Sequence, residues 1–384
     1  MHIAWLGKKS PFCGNVTYGR EVTNALLERG HRVSFLHFAQ EEEILDSQTP
    51  GRADCPEVAL PFLFKSTIYT IPTPKSSKVL AESLAKLKPD LVHASLTLSP
   101  LDFRLPEICD DLQIPLVATF HPPFDSKLRN LSSSTQFLTY QLYAPFLSHY
   151  DRVIVFSHLQ RNLLLKLGVP SRRLAIIPNG VDETRYSPGP SLIKQTFGAS
   201  RLFVYLGRIA PEKNVESLLK AWKHSEMGTE SKLLIVGDGL LKPNLQPSFG
   251  PDLGIHWLGF IADEQTRIQI LRGADAFILP SLVEGLSLSL LEAMACGTAC
   301  LATDAGADGE VIENGAGIVL NTQGVTTQLK TLLPVLRDHP EITELLGRKA
   351  RARVLERYTF GANINSLESL YAEIASSHAQ PVRL

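Results

Sequence analysis

The stretch Pro280-Ser281-Leu282-Val283-Glu284-Gly285-Leu286-Ser287-Leu288-Ser289-Leu290-Leu291-Glu292-Ala293-Met294-Ala295-Cys296-Gly297 decides the fold. The apolar run 276–279 before it has the length of a buried strand, a glycine-containing turn follows, and 288–295 reads as a helix. The first N–H groups of such a helix lack intrahelical acceptors, and with the helix dipole they favour an anion such as phosphate. Glu284 then stands at the mouth of the site. Glu292 lies four residues beyond Leu288 on a definable helical face, where its carboxylate can accept from two ribose hydroxyls. Taken alone, the two residues read equally well as a helix-dipole partner and a solvated side chain.

Outward from this stretch, short apolar runs alternate with amphipathic segments almost to the end of the chain. That is the pattern of α/β architecture, with parallel sheets covered by helices on both faces. Strands are expected at 3–7, 33–38, 91–94, 116–120, 153–156 and 175–177, with helices at 20–29, 78–87 and 135–148. Turn formers at Pro178-Asn179-Gly180-Val181-Asp182 and Ser187-Pro188-Gly189-Pro190 interrupt both periodicities. A second series follows: strands at 202–206, 233–236, 256–259, 276–279 and 299–302, and helices at 215–223, 264–272, 288–295, 341–357 and 363–374. We therefore expect two doubly wound domains, 1–180 and 181–360, with ligands at the carboxyl ends of both sheets and a cleft between them. The segment 361–384 is expected to be a helix able to cross back to the first domain.

The length, 384 residues, suits two domains, and a formal net charge of −1 argues against a nucleic-acid protein, which needs clustered Lys and Arg. Cys13, Cys55, Cys109, Cys296 and Cys300 show no CxxC pair and no disulfide rhythm, as expected in a reducing, cytoplasmic compartment. Met1 leads straight into a strand-like run rather than a signal peptide, and no apolar run reaches bilayer length. Any membrane contact is thus expected to be peripheral.

A second cationic element follows the first strand of the second series, in Tyr205-Leu206-Gly207-Arg208-Ile209-Ala210-Pro211-Glu212-Lys213-Asn214. Arg208 supplies a planar fork and Lys213 a point charge, a pair suited to a diphosphate, although either alone reads as a surface cation. Gly237-Asp238-Gly239 ends another strand with glycines that allow close approach to a ligand, or simply a turn.

With these pieces in order, the second half resembles the retaining glycosyltransferases of family 4, which have the GT-B fold. The matching motifs are Gly207-Arg208 with Lys213, Gly237-Asp238-Gly239, Leu258-Gly259-Phe260, Asn179-Gly180-Val181-Asp182, and Glu284 with Glu292 in a Glu-x7-Glu arrangement; they span most of 175–305. The resemblance implies that Arg208 and Lys213 hold the donor diphosphate. Glu284 and the amides of Gly285, Leu286 and Ser287 would contact sugar and phosphate, Gly237 and Gly259 would line the donor site, and Glu292 would hold the ribose. No Asp-x-Asp motif occurs in the chain. No metal and no cofactor beyond the nucleotide-sugar donor is therefore expected, the cations and helix end neutralising the leaving group.

In the first half, His121 follows the strand 116–120, and its match to the family's strand-end histidine implies contact with donor sugar or acceptor; a lone histidine is otherwise often structural. Ser157 matches a donor-site serine more weakly. The loop Gly7-Lys8-Lys9-Ser10-Pro11-Phe12-Cys13-Gly14-Asn15-Val16 lacks the glycine spacing of a P-loop. Where the family carries a glycine pair approaching the diphosphate, this chain has Gly14-Asn15, which leaves the role of Gly14 open.

For the acceptor, residues 60–88 join Pro61-Phe62-Leu63-Phe64 with Lys65, Lys75, Lys78, Lys86 and Lys88 against the single acid Glu82. Residues 120–150 hold seven aromatics, with Lys127 and Arg129. Both segments suit an anionic membrane surface, or equally a core with solvated lysines. The opening 2–40 is similar to the cyanobacterial type of digalactosyldiacylglycerol synthases, which implies UDP-galactose as donor, a membrane galactolipid as acceptor, and a cytoplasmic or thylakoid membrane face. A family 4 transferase with a soluble or polysaccharide acceptor, a nucleotide-sugar epimerase and a non-catalytic binder remain alternatives.

Overall fold

The computed structural model describes residues 1–10, 14–39, 55–66, 69–96, 98–125 and 131–379. The chain divides into two compact units. Unit 1 comprises Met1–His121, Tyr140–Ile177 and Ile364–Leu384; unit 2 comprises Pro122–Thr139 and Pro178–Asn363.

Unit 1 contains strands β1 (His2–Leu6), β2 (Arg32–Phe38), β3 (Glu57–Leu60), β4 (Phe62–Lys65), β5 (Thr70–Pro72), β6 (Leu91–Ser95), β7 (Leu116–Thr119), β8 (Arg152–Val155) and β9 (Leu174–Ile176). Seven of these form one parallel sheet in the order β3-β2-β1-β6-β7-β8-β9, while β4 and β5 make a separate antiparallel pair. Strand order reverses between β1 and β6, so the loops leaving their carboxyl ends diverge and open a crevice. All five residues of β1 and all five of β6 are buried, which explains why neither shows the alternation of a half-exposed strand.

Unit 2 repeats the plan with β10 (Arg201–Leu206), β11 (Ser231–Val236), β12 (Ile255–Gly259), β13 (Ala276–Leu279), β14 (Ala299–Thr303) and β15 (Ile318–Leu320), all parallel in the order β12-β11-β10-β13-β14-β15. Its reversal lies between β10 and β13. Phe203, Tyr205 and Phe277 are among the largest fully buried side chains there, each adding on the order of 2 kcal/mol through burial.

The elements differ from the sequence expectation in identifiable ways. The first helix spans Gly14–Glu28 rather than starting at residue 20, because Val16, Tyr18, Val22, Thr23, Ala25 and Leu26 supply a buried helical face. Gly14, Asn15 and Val16 therefore belong to a helical turn and not to a loop. The edge strands β3 and β15 were not expected; at four and three residues, half exposed, they carry too little pattern. Cys13, Lys127 and Arg129 lie outside the described residues, and the four described cysteines are free thiols. Among the described residues no helix is long and apolar enough to cross a membrane.

Candidate functional site

In unit 2 the loops after β10 and β13 leave the two strands that flank the reversal, and they are laced together. Leu282 N donates to Glu212 O at 2.8 Å, and Asn214 Nδ2 to Pro280 O at 3.2 Å. Asn214 sits in the left-handed region at φ 53°, which ends the short 3-10 turn Pro211–Lys213 and starts the helix Val215–Lys223. The result sets the Lys213 ammonium against Oε1 of the buried Glu284 in an ion pair whose side chains are only 15% and 11% exposed. Arg208 departs from its neighbour. It is 52% exposed and pairs with Glu212 at 2.9 Å, a surface contact worth about 0–1 kcal/mol and therefore readily exchanged.

The backbone beyond Glu284 is held from outside. The carbonyl of Glu284 accepts from Phe124 N at 2.9 Å, that of Gly285 from Ala307 N at 2.8 Å, and that of Leu286 from Asn179 Nδ2 at 3.2 Å. In a planar trans peptide the N–H points opposite the C=O. Fixing the Glu284 and Gly285 carbonyls thus turns the Gly285 and Leu286 N–H groups away from those partners. Gly306 makes the approach possible: at φ 58°, a Cβ on it would stand 2.0 Å from Glu284 O. The Ser287 N–H, expected to face a ligand with the other two, instead donates to Asp308 Oδ1 at 2.9 Å. The Ser287 side chain caps the helix Leu288–Ala295.

Asp308 had no place in the sequence reading. It is buried, and burial first, then the nearby Glu284 charge, push its carboxyl well above the ordinary range. Only its packing under 284–287 reveals it; 24 residues separate Asp308 from Glu284, and no local spacing connects them.

The other donor-site candidates are placed as follows. Gly237, at φ 132°, lies against protein backbone: a Cβ there would fall 1.9 Å from Gly207 O. The close approach of two strand-end loops thus accounts by itself for a glycine at this position. Gly237 N donates to Gly259 O at 2.7 Å, which ties the ends of β11 and β12. Glu292 is half-buried on its helix; burial first, with the Glu292 charge adding to it, raises the pKa values of Tyr186 and Cys296.

In unit 1, Gly14, His121 and Ser157 do not form one cluster of contacts. Gly14 starts its helix with open space around it. Ser157 is buried and caps the helix His158–Lys166, accepting from Gln160 N at 3.0 Å. His121, just after β7, meets Ser95 Oγ through Nε2 at 2.8 Å and packs against Tyr18 and Phe156. Below it, His93 uses both ring nitrogens, on Tyr371 Oη at 2.5 Å and Thr119 Oγ1 at 2.8 Å.

Burial, and then the Lys8 charge, hold the His121 pKa down to about 3; burial, and then His121, do the same for His93. Unfolded, each would take a proton near 6.5. Below pH 6.5 the unfolded chain therefore binds protons that the folded chain refuses, and stability falls as pH drops towards 3, by about 1.4 kcal/mol per pH unit per histidine. Asp308, with its raised pKa, acts in the opposite sense. The check is thus a comparison: between pH 6.5 and 5 the urea midpoint of His93→Gln should fall less steeply than that of the unaltered chain, and equal slopes would contradict the assignment.

Two family models match the chain. "Glycosyltransferase Family 4" matches residues 14–185 and "Glycosyl transferases group 1" matches residues 193–353. The Escherichia coli UDP-Gal:alpha-D-GlcNAc-diphosphoundecaprenol alpha-1,3-galactosyltransferase is 24% identical over 235 residues, 58% of this chain and 60% of the relative, so the match leaves well over a third of that protein's length unspanned. The Bacillus anthracis N-acetyl-alpha-D-glucosaminyl L-malate synthase is 24% identical over 382 residues, 94% of each chain. Among solved structures, Anabaena HepE in complex with UDP superposes with a TM-score of 0.76 at 18% identity, over 97% of this chain and 100% of that one. The same protein has been solved with UDP-glucose. At that identity the likeness concerns the fold alone.

Proposed function

The chain has the GT-B fold, its two halves match the family 4 and group 1 glycosyltransferase models, and from that premise we propose that it moves a hexose from a nucleoside-diphosphate sugar to an acceptor hydroxyl with retention of configuration. The observation that carries the donor assignment is the meeting, at the β10/β13 reversal, of the Lys213–Glu284 pair with the Gly285 and Leu286 N–H groups, which point away from the partners of the Glu284 and Gly285 carbonyls. A diphosphate offers what these groups lack. Its oxygens take the Lys213 ammonium and the two N–H groups, and Arg208 leaves its surface partner to join them. Glu284 and Glu292 accept from sugar and ribose hydroxyls.

The reaction forms a bond from the acceptor oxygen to the anomeric carbon as the bond to the diphosphate breaks, and the hydroxyl proton passes to a departing phosphate oxygen. Lys213, Arg208 and the amides meet the growing negative charge, and we assign them the role a metal plays elsewhere. Retention rests on the family resemblance. HepE, solved with UDP and UDP-glucose, supports a uridine nucleotide as donor.

We further propose UDP-galactose as donor, a membrane galactolipid as acceptor, and peripheral membrane attachment. The E. coli relative, named for a UDP-Gal donor and a diphosphoundecaprenol-linked acceptor, supports a lipid-borne acceptor. So does the surface. The β4–β5 hairpin exposes Leu63 (69%), Phe64, Tyr69 and Ile71, and the helix Leu131–Leu147 exposes Leu138, Leu142 and Phe146 at four-residue intervals on one face. Lys75, Lys78, Lys86 and Lys88, all exposed, follow the hairpin, a pairing suited to anionic lipid. The malate-glycosylating relative, matched over 94% of both chains, favours a second reading with a small soluble acceptor.

Labelled UDP-galactose supplied with monogalactosyldiacylglycerol in anionic vesicles separates these readings. The first expects labelled digalactolipid, undiminished by EDTA, and vesicle binding about tenfold weaker in Leu63→Ser/Phe64→Ser, since two exposed apolar side chains contribute roughly 1.5 kcal/mol or more. Transfer only to water-soluble acceptors would establish the second reading. Loss of turnover with EDTA, restored by Mg²⁺, would overturn metal independence.

A further inference from the structure

At the β1/β6 reversal of unit 1, three side chains form a chain of hydrogen bonds whose directions are all forced. Asn15 Nδ2 donates to Leu96 O at 3.3 Å. A carbonyl only accepts, so this contact fixes the amide orientation and leaves Asn15 Oδ1 facing Ser95 Oγ at 2.7 Å. The amide oxygen only accepts as well, so Ser95 spends its one proton there. Ser95 Oγ lies 2.8 Å from His121 Nε2 and has only lone pairs left to offer. His121 Nε2 must therefore carry a proton. A neutral imidazole has one N–H, so Nδ1 is bare, and among the described residues the ring's hydrogen bond is the one Nε2 makes to Ser95. The ring is held from the sides by Tyr18, edge-on at 5.0 Å between centroids, and Phe156 at 5.3 Å.

We infer that Asn15 and Ser95 are positioning residues that lock His121 as its Nε2–H tautomer, so that Nδ1 is presented as an acceptor to a sugar hydroxyl. The inference rests on the glycosyltransferase reading for its ligand, not for its geometry. The depressed pKa of His121, set by burial and then by Lys8, keeps the ring neutral across the working pH range, which a bare acceptor nitrogen requires. His93, two residues before Ser95, makes the contrast: both its nitrogens are used inside the protein, and it has nothing to offer a ligand. The arrangement also gives the first turn of the helix Gly14–Glu28 a role that does not involve Gly14 itself.

The test is ¹⁵N-resolved NMR of the histidine rings in the full chain at pH 7, with His121 assigned by its disappearance in His121→Asn. The expected signature is a pyrrole-type Nε2 and a pyridine-type Nδ1. A protonated Nδ1, or averaging between tautomers, would overturn the inference. In Ser95→Ala the tautomers should mix while circular dichroism stays unchanged, and kcat/KM should fall about tenfold, as for loss of a neutral hydrogen bond. An unmoved tautomer in that variant would also overturn it. The NMR readout needs no substrate, so it stands apart from the functional reading: absence of any sugar transfer with the Nε2–H signature intact sinks only the proposed function.

Discussion

Lys213→Ala is expected to lower turnover by about one to two powers of ten, the loss of one charge-assisted hydrogen bond to the leaving diphosphate. It should also destabilise the chain. Glu284 is 8% exposed, and Lys213 is its ion-pair partner. Removing one member of such a pair costs about 3 kcal/mol, because the other charge stays buried without compensation. The two effects can be separated. Lys213→Met with Glu284→Gln removes both charges at similar volume and should recover most of the stability while turnover stays low. Steady-state kinetics and urea unfolding of the single and double variants check this, and a near-normal kcat in Lys213→Ala would count against the donor assignment.

Gly237→Ala is expected to cost roughly 3 kcal/mol or more, since the new methyl is barred both by backbone angle and by a neighbouring carbonyl. At φ 132° the position suits glycine, and the added Cβ would stand 1.9 Å from Gly207 O. Either β11's loop or the loop bearing Arg208 must move, so activity should fall with stability. Gly14→Ala is the control. Nothing lies within 4 Å of the added atom, and stability should change by less than about 1 kcal/mol. Thermal unfolding of both variants decides the matter; equal effects would mean that the crowding at Gly207 is relieved without cost. A Gly14→Ala chain with full stability and lost turnover would assign Gly14 to the ligand.

Much of unit 2 was legible because its signals are local. The strand β13 and the helices Val215–Lys223 and Leu288–Ala295 were read to the residue, since fully buried parallel strands give unbroken apolar runs and the helices begin beside turn formers. Lys213 and Glu284 were read as candidates from their places at strand ends, and the structure joins them. What the chain hid is tertiary. Asp308 and Gly306 act through the register of β14's loop against 284–287, and nothing near them in sequence marks that contact. The commitment of Ser287 N–H to Asp308 follows from the same register. In sequence Asn15 reads as part of a loop, because Gly14 and the polar Asn15 and Thr17 blur the helical face of 14–28, and Ser95, at the end of β6, carries no local mark of its role.

The central claim is that Lys213 and the N–H groups of Gly285 and Leu286 receive a pyrophosphate. A crystal structure of the chain with UDP tests it most directly. The account predicts diphosphate oxygens within hydrogen-bond distance of Lys213 Nζ and of both amide nitrogens, with Arg208 withdrawn from Glu212. UDP bound elsewhere at saturating concentration, or seated with Lys213 still turned wholly to Glu284 and both amides unengaged, would contradict it.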